Sequence, residues 1–473
     1  MAAYTNSAPG MLWRFALVAR SFLAQPGLPL AAALPEEQIS RAFAAEGVEF
    51  GGAADEQSDV IYTPAVTLWA FLSQMLHAAE QRSCLAAVAR VAVLWLALGK
   101  RICANNSGAY CRARAKLTEG VLQRLLRETA AEGEALADEW RWCGRRVLAG
   151  DGTTLSMPDT AALQKSYPQS TAQQKGLGFP ILRMVALFSF ATGMLHDLAL
   201  GPYAGKETGE TALLRSLFGC FRKGDVFLAD RYYCGWFLIA LLQELGVDVV
   251  VRLHHLRHAD FETGQRLGKG DHLASWPRPA KPEWMDDATY ARMPPSLCVR
   301  EVAVQVAERG FRVRSLVIVT TLADHAAYPA EELATLYRRR WLVELNLRSV
   351  KDALHLDVLR CKTPEMVRKE LLAGLLAYNL IRRTMLQAAL KAKRSPRELS
   401  FTAALQTIAA AWVIAAISAE HQELLCELRL EHLASQLVGR RPNRVEPRAI
   451  KRRPKPHNLL TVPREQARKA LLQ

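Results

Sequence analysis

Between residues 146 and 253 short apolar runs alternate with helical ones, and this alternation restricts the chain to an α/β fold. Arg146–Asp151 reads as a strand ending in Asp-Gly, followed by a polar loop from Thr153 to Gly178. Phe179–Phe190 and Met194–Leu200 flank Ala191-Thr192-Gly193 as a hairpin. Glu207–Phe221 reads as a helix that exits at Lys223-Gly224. Asp225–Asp230 is a short buried strand ending in an aspartate, Phe237–Leu245 a helix, and Val247–Leu253 a strand of mainly β-branched residues. The order predicts a hairpin feeding parallel strands with helices between them.

The flanks differ from this centre. Residues 1–145 are dense in Ala and Leu, with no proline between Pro64 and Pro158, and Leu68, Leu72, Met75 and Leu76 recur at helical spacing. Lys100, Arg101, Arg112, Arg114 and Lys116 form a basic stretch, readable as a solvated helix face or as a DNA-contacting helix. Residues 254–298 are polar and rich in His, Gly, Pro and Trp; Val299–Val306 and Phe311–Thr320 then form a hairpin around Arg309-Gly310. A long helix is predicted from Ala330 to about Leu356, and 366–437 is helical and apolar. Arg440–Lys455 holds eight Lys or Arg and three prolines. Over the 473 residues 61 basic side chains exceed 46 acidic ones, a formal charge of +15 that calls for an anionic partner, nucleic acid before a membrane surface.

Three acids stand out by context: Asp151 and Asp230 at strand ends, and Glu344 in the long helix. Converging carboxylates suit Mg²⁺, and a pair of such ions can activate a water or 3′-hydroxyl for in-line phosphodiester displacement. Alone, a strand-end aspartate such as Asp151 or Asp230 reads more simply as turn chemistry. At about 100° per residue, Tyr337, Arg340, Glu344 and Lys351 fall at about 0°, 300°, 340° and 320°, one narrow face. Leu336, Val343, Leu347, Val350 and Leu354 occupy the adjoining face. An ordinary amphipathic helix with an Arg340–Glu344 surface pair has the same pattern; the functional alternative puts Glu344 on metal and Arg340 and Lys351 on phosphates.

The spacing Tyr337-(2)-Arg340-(3)-Glu344-(6)-Lys351 resembles the signature of the insertion sequence four family of bacterial DDE transposases. Asp151-Gly-Thr-Thr-Leu-Ser-Met-Pro-Asp159 and Leu228-Ala-Asp230-Arg231-Tyr-Tyr resemble that family's two aspartate segments; Asp357–Pro364 and Pro447–Pro454 also look alike. The resemblance implies Asp151, Asp230 and Glu344 as a metal-binding catalytic triad, with Mg²⁺, or Mn²⁺ in its place, as two ions. It implies that Tyr337, Arg340 and Lys351 grip the DNA end. It implies a ribonuclease-H-like α/β core split by a β-rich insertion, flanked by helical terminal regions. The expected divisions are 1–145 for a helical end-binding region, 146–253 for the first part of the core, 254–328 for the insertion, 329–365 for the signature helix and 366–473 for a helical, basic C-terminal region. The expected activity is cut-and-paste transposition, with double-stranded DNA (terminal inverted repeats and target) as partner and a homodimer at synapsis. A metal-dependent nuclease and an inactive end-binding relative are the alternatives. Relatives stack an insertion-domain Trp on a flipped base; Trp276 and Trp284 lie in the right region without an alignable motif.

Other classes fall away. The nine cysteines are scattered with no Cys-x-x-Cys, which reads as inert thiols of a cytoplasmic protein. His254, His255 and His258 lack a carboxylate or cysteine at ligand spacing. Gly201–Lys206 is one residue short of a phosphate loop. The apolar runs Leu85–Leu98 and Ala403–Ser418 are interrupted by Arg90 and Gln406 and fall short of a membrane span.

Overall fold

Strand β1 (Val147–Ser156) begins where the sequence turns from helical to apolar. The computed structural model describes residues 34, 36–48, 61–97, 106–305, 315–417, 422–439 and 461–472. Eight further strands follow among them: β2 (Ile181–Ser189), β3 (Leu195–Pro202), β4 (Val226–Leu228), β5 (Asp248–Arg252), β6 (Gln265–Gly268), β7 (Asp271–Pro277), β8 (Ser296–Gln305) and β9 (Ser315–Thr320). They form a single sheet in the order β3-β2-β1-β4-β5-β9-β8-β7-β6. β1 pairs antiparallel with β2 and parallel with β4, and β4 pairs parallel with β5. β5 then pairs antiparallel with β9, so the later strands extend the same sheet. The turn expected at Arg309-Gly310 lies outside the described residues, as do Lys100, Arg101 and Arg440–Lys455.

The chain divides into two units. One comprises 138–191, 197–346 and 439–473 and contains most of the sheet. Its core packs Leu148, Leu187, Phe227, Tyr233, Ile239 and Val249 with the helices Glu210–Arg215 and Trp236–Glu244. The start of β1 is tied to the start of β4 by a buried ion pair. Arg146 Nε donates to Asp225 Oδ1 over 2.9 Å and Nη2 to Oδ2 over 2.5 Å, while Asp225 Oδ2 also accepts from the Arg222 N–H.

The other unit, 1–137, 192–196 and 347–438, is built on the 28-residue helix Pro364–Lys391. Thr363-Pro364-Glu365 starts it by the expected rule: the Thr363 hydroxyl accepts from the Met366 N–H and proline occupies the first turn. The helix Glu119–Ala135, capped in the same way by Thr118, packs along it. Buried Asn379 donates to the Leu126 and Leu195 carbonyls and accepts from the Leu195 N–H, satisfying three of its four hydrogen-bonding positions. Buried Arg82 reaches Glu370 at 3.2 Å and the Leu354 and His355 carbonyls at 2.8 Å. No helix of the described residues is long and apolar enough to cross a membrane.

Two local expectations are corrected. Asp151-Gly152 is not a turn, because antiparallel pairing with β2 carries β1 on to Ser156 and takes in the start of the expected loop. The long helix is not continuous. It runs Ala330–Arg338, tightens to a 3₁₀ turn at Arg339–Trp341, resumes at Leu342–Arg348 and ends in a π-turn at Ser349–Ala353.

Candidate active site

The parallel register of β1 with β4 pairs Val147 with Val226 and Ala149 with Leu228, a constant offset of 226 − 147 = 79. Carried two residues further, the same offset sets Asp151 beside Asp230. Each aspartate spends one oxygen on the backbone: Asp151 Oδ1 accepts from the Gly152 N–H over 2.9 Å, and Asp230 Oδ1 caps the turn Arg231–Tyr233 by accepting from the Tyr232 N–H over 2.8 Å. Burial pushes the Asp151 carboxyl up to about 6; the charges of Asp230 and Glu210 add to this, while Arg340 and the Gly152 N–H oppose it.

The glycines around Asp151 have steric reasons. A Cβ on Gly150 would stand 2.5 Å from the Phe227 ring, and one on Gly152 would stand 2.2 Å from Glu210 Cδ. The buried Phe227 ring therefore holds position 150 to glycine, while at Gly152 the obstacle is the end of the Glu210 side chain.

The signature helix brings Tyr337 and Arg340 to the same place. Tyr337 is buried, and burial raises its hydroxyl to about 12, with Asp230 adding and Arg340 and Arg252 opposing. Burial alone would lower the Arg340 guanidinium, but Tyr337, Glu344 and Asp151 together raise it. Glu344 is exposed and joined to Arg340 by a charge-assisted hydrogen bond. Lys351 lies half-buried in the π-turn, in the other unit. The structure thus gathers Asp151, Asp230, Tyr337 and Arg340, with Glu344 attached through Arg340.

Among the described residues no three His, Cys, Asp or Glu side chains close on one point as a metal cage. The donor chemistry still fits a hard divalent cation. Asp151 and Asp230 are oxygen donors set side by side, and the repulsion that helps to raise Asp151 is what a bound cation would relieve.

Two residues here escaped the sequence reading. Glu210, at the head of a short helix, accepts from the Tyr233 hydroxyl at 3.3 Å. Arg252, at the end of β5, lies beside Asp230 when the β4–β5 register (Leu228 with Val250) is continued. The insertion tryptophans separate clearly. Trp276 is buried, donates to Glu301 Oε1 and lies under Arg257. Trp284 is 37% exposed with the Arg215 guanidinium 3.8 Å from its ring centroid.

The family model of the transposase DDE domain matches residues 142–380, half of the chain and the whole of this site. The chain belongs to the DDE transposase family, whose members use divalent metal. Within it, the chain is of the IS4 type. It is 27% identical over 297 residues to the transposase InsG for insertion sequence element IS4 of Escherichia coli K12, covering 62% of this chain and 64% of that one. It is 43% identical over 65 residues to the transposase for insertion sequence element IS421 of Escherichia coli, covering 14% of this chain and 18% of that one. The chain therefore spans less than two thirds of the length of these curated relatives. A piggyBac transposase, solved as a synaptic complex with hairpin DNA, aligns over 88% of both chains at a TM-score of 0.42 and 9% identity, too distant to define the fold.

Proposed function

We propose that this chain is a cut-and-paste DNA transposase that hydrolyses the phosphodiester at the ends of an insertion sequence and transfers the freed 3′-hydroxyl to target DNA. The observation that carries this is the β1–β4 register, which sets Asp151 beside Asp230 under a helix that presents Arg340 and Glu344. The strand order β3-β2-β1-β4-β5 supports a ribonuclease-H-like core, with β6 to β9 as the β-rich insertion and the helical regions outside it for end binding.

In this reading Asp151, Asp230 and Glu344 hold Mg²⁺, or Mn²⁺, as two ions. Bound there, the metal supplies activation of the attacking oxygen and charge stabilisation of the leaving one. Asp151 and Asp230 are oriented by their backbone hydrogen bonds, each leaving an oxygen free to ligate. Arg340 offers a fixed cation to the scissile strand's phosphates, and buried Tyr337 holds that guanidinium in place. Lys351 contacts a phosphate further along the end. The +15 charge fits double-stranded DNA, both terminal repeats and target. Cutting two ends in concert requires a homodimer at synapsis, working in the bacterial cytoplasm.

The test is incubation of the protein with end-bearing DNA, a target plasmid and Mg²⁺. Strand-transfer products are expected. Nicking without transfer would make the chain a nuclease, and binding without cleavage would make it an inactive end-binding relative.

A further inference from the structure

Glu210 connects the two aspartate segments. It begins the helix Glu210–Arg215 and is half-buried. Its carboxylate lies directly over Gly152, where an added Cβ would meet Cδ at 2.2 Å and both oxygens at 2.5 Å. Side chains alternate along a strand, so Gly152 faces away from Asp151 and Glu210 backs β1 from the opposite face. The backbone it touches is the one whose N–H holds Asp151 Oδ1. Its other anchor is the Tyr233 hydroxyl, in the turn that Asp230 caps, and Tyr233 is itself fixed edge-on against Phe227 of β4. Arg183, bonded through Nη1 to the Thr208 carbonyl, is its basic neighbour.

We propose that Glu210 is a positioning residue of the active site, a fourth carboxylate that braces the Asp151 and Asp230 segments from behind and strengthens their hold on a divalent cation. It does not join the ligands, because β1 lies between it and the Asp151 side chain. It acts through its negative charge, which the contacts with Gly152 and Tyr233 hold at short range in a half-buried setting, where charges are weakly screened. This rests on the reading of Asp151 and Asp230 as cation ligands.

The experiment is Mn²⁺ titration of the full chain without DNA, followed by electron paramagnetic resonance, on wild type, D151N, E210Q and E210D, with thermal melting of each. Outer-sphere partners of metal ligands typically contribute about 10–100-fold to affinity, and E210Q is expected to weaken Mn²⁺ binding by about tenfold with its melting temperature unchanged. E210D, which keeps the charge, is expected to stay close to wild type. Wild-type affinity in E210Q, with binding lost in D151N, would overturn the role of Glu210 alone. Equal losses in E210Q and E210D would assign the effect to packing and overturn it too. Wild-type affinity in D151N would instead overturn the site reading beneath it.

Discussion

Arg340 and Glu344 lie one helical turn apart, and Arg340 Nη2 donates to Glu344 Oε1 over 2.5 Å. The arginine side chain is turned inward at 17% exposure and the glutamate outward at 58%. The same guanidinium faces Asp151. One cation is thus shared between the first and third acids of the expected triad. The Glu344 carboxylate is more than half exposed, so water can take its place beside Arg340 if it turns toward a metal, as proposed.

That sharing predicts the behaviour of Glu344→Ala. The substitution removes a proposed ligand but no phosphate contact. Cleavage of end-bearing DNA should fall by more than about 100-fold, beyond the loss of an outer partner. End binding, measured by gel shift in Ca²⁺, should stay near wild type. Full cleavage activity in this variant would remove Glu344 from the site.

Arg340→Ala should act twice. End binding should weaken, and the slope of log affinity against log salt should become shallower by about 1, as expected for one lost phosphate contact. Arg340 also favours the charged form of Asp151, so its loss should move the rising limb of the pH–cleavage profile to higher pH. A profile that stays in place would separate Arg340 from Asp151.

Asp151 itself sets a pH dependence. Its folded carboxyl lies at about 6 against an ordinary 3.8, so the folded state binds its proton more tightly than the unfolded state. Stability of the metal-free protein should therefore fall as pH rises from about 4 to about 6 and then level off. If Asp151 ligates the metal as proposed, Mn²⁺ affinity should rise over the same window, as its carboxyl loses its proton. Urea melts at several pH values, with and without Mn²⁺, test both directions at once. D151N should flatten both curves.

The sequence carried the hairpin and the alternation of strands and helices, because each is a local pattern. It could not carry the pairing of Asp151 with Asp230. That depends on a parallel register between segments 79 residues apart, which no local periodicity encodes. Asp-Gly resembles a turn, and only Phe227 and Glu210 packed against β1 explain why glycine flanks the aspartate within a strand. Arg338, Arg339 and Arg340 are good helix formers, so nothing in their propensities marks the 3₁₀ turn at Arg339–Trp341. Glu210 was hidden for a related reason. A glutamate in the first turn of a helix is common, and its meaning comes from what lies above it.

The Arg146–Asp225 pair anchors the same register from its other end, since 146 + 79 = 225. Both side chains are buried, so Asp225→Ala would leave the Arg146 guanidinium uncompensated. A loss of about 3–5 kcal/mol is expected in urea unfolding. Because the register depends on it, Mn²⁺ binding by the folded fraction should weaken as well. A mild loss, under about 1 kcal/mol, would mean that the pair is wetter than its burial implies.

Gly152 gives the sharpest test of the packing behind the site. Alanine at 152 places a methyl group where the Glu210 carboxylate now lies. Either the strand shifts or Glu210 is driven off Tyr233, and overpacking of this kind costs about 1–3 kcal/mol. Glu210→Ala removes the obstacle, so the two substitutions should not be additive. The double variant should regain most of the stability that Gly152→Ala loses, because the methyl group then fills space that the shortened side chain has vacated. Thermal melts of wild type, both single variants and the double variant measure the coupling directly. A Gly152→Ala melt at the wild-type temperature, or strict additivity in the double variant, would show that Glu210 swings away freely and does not brace β1.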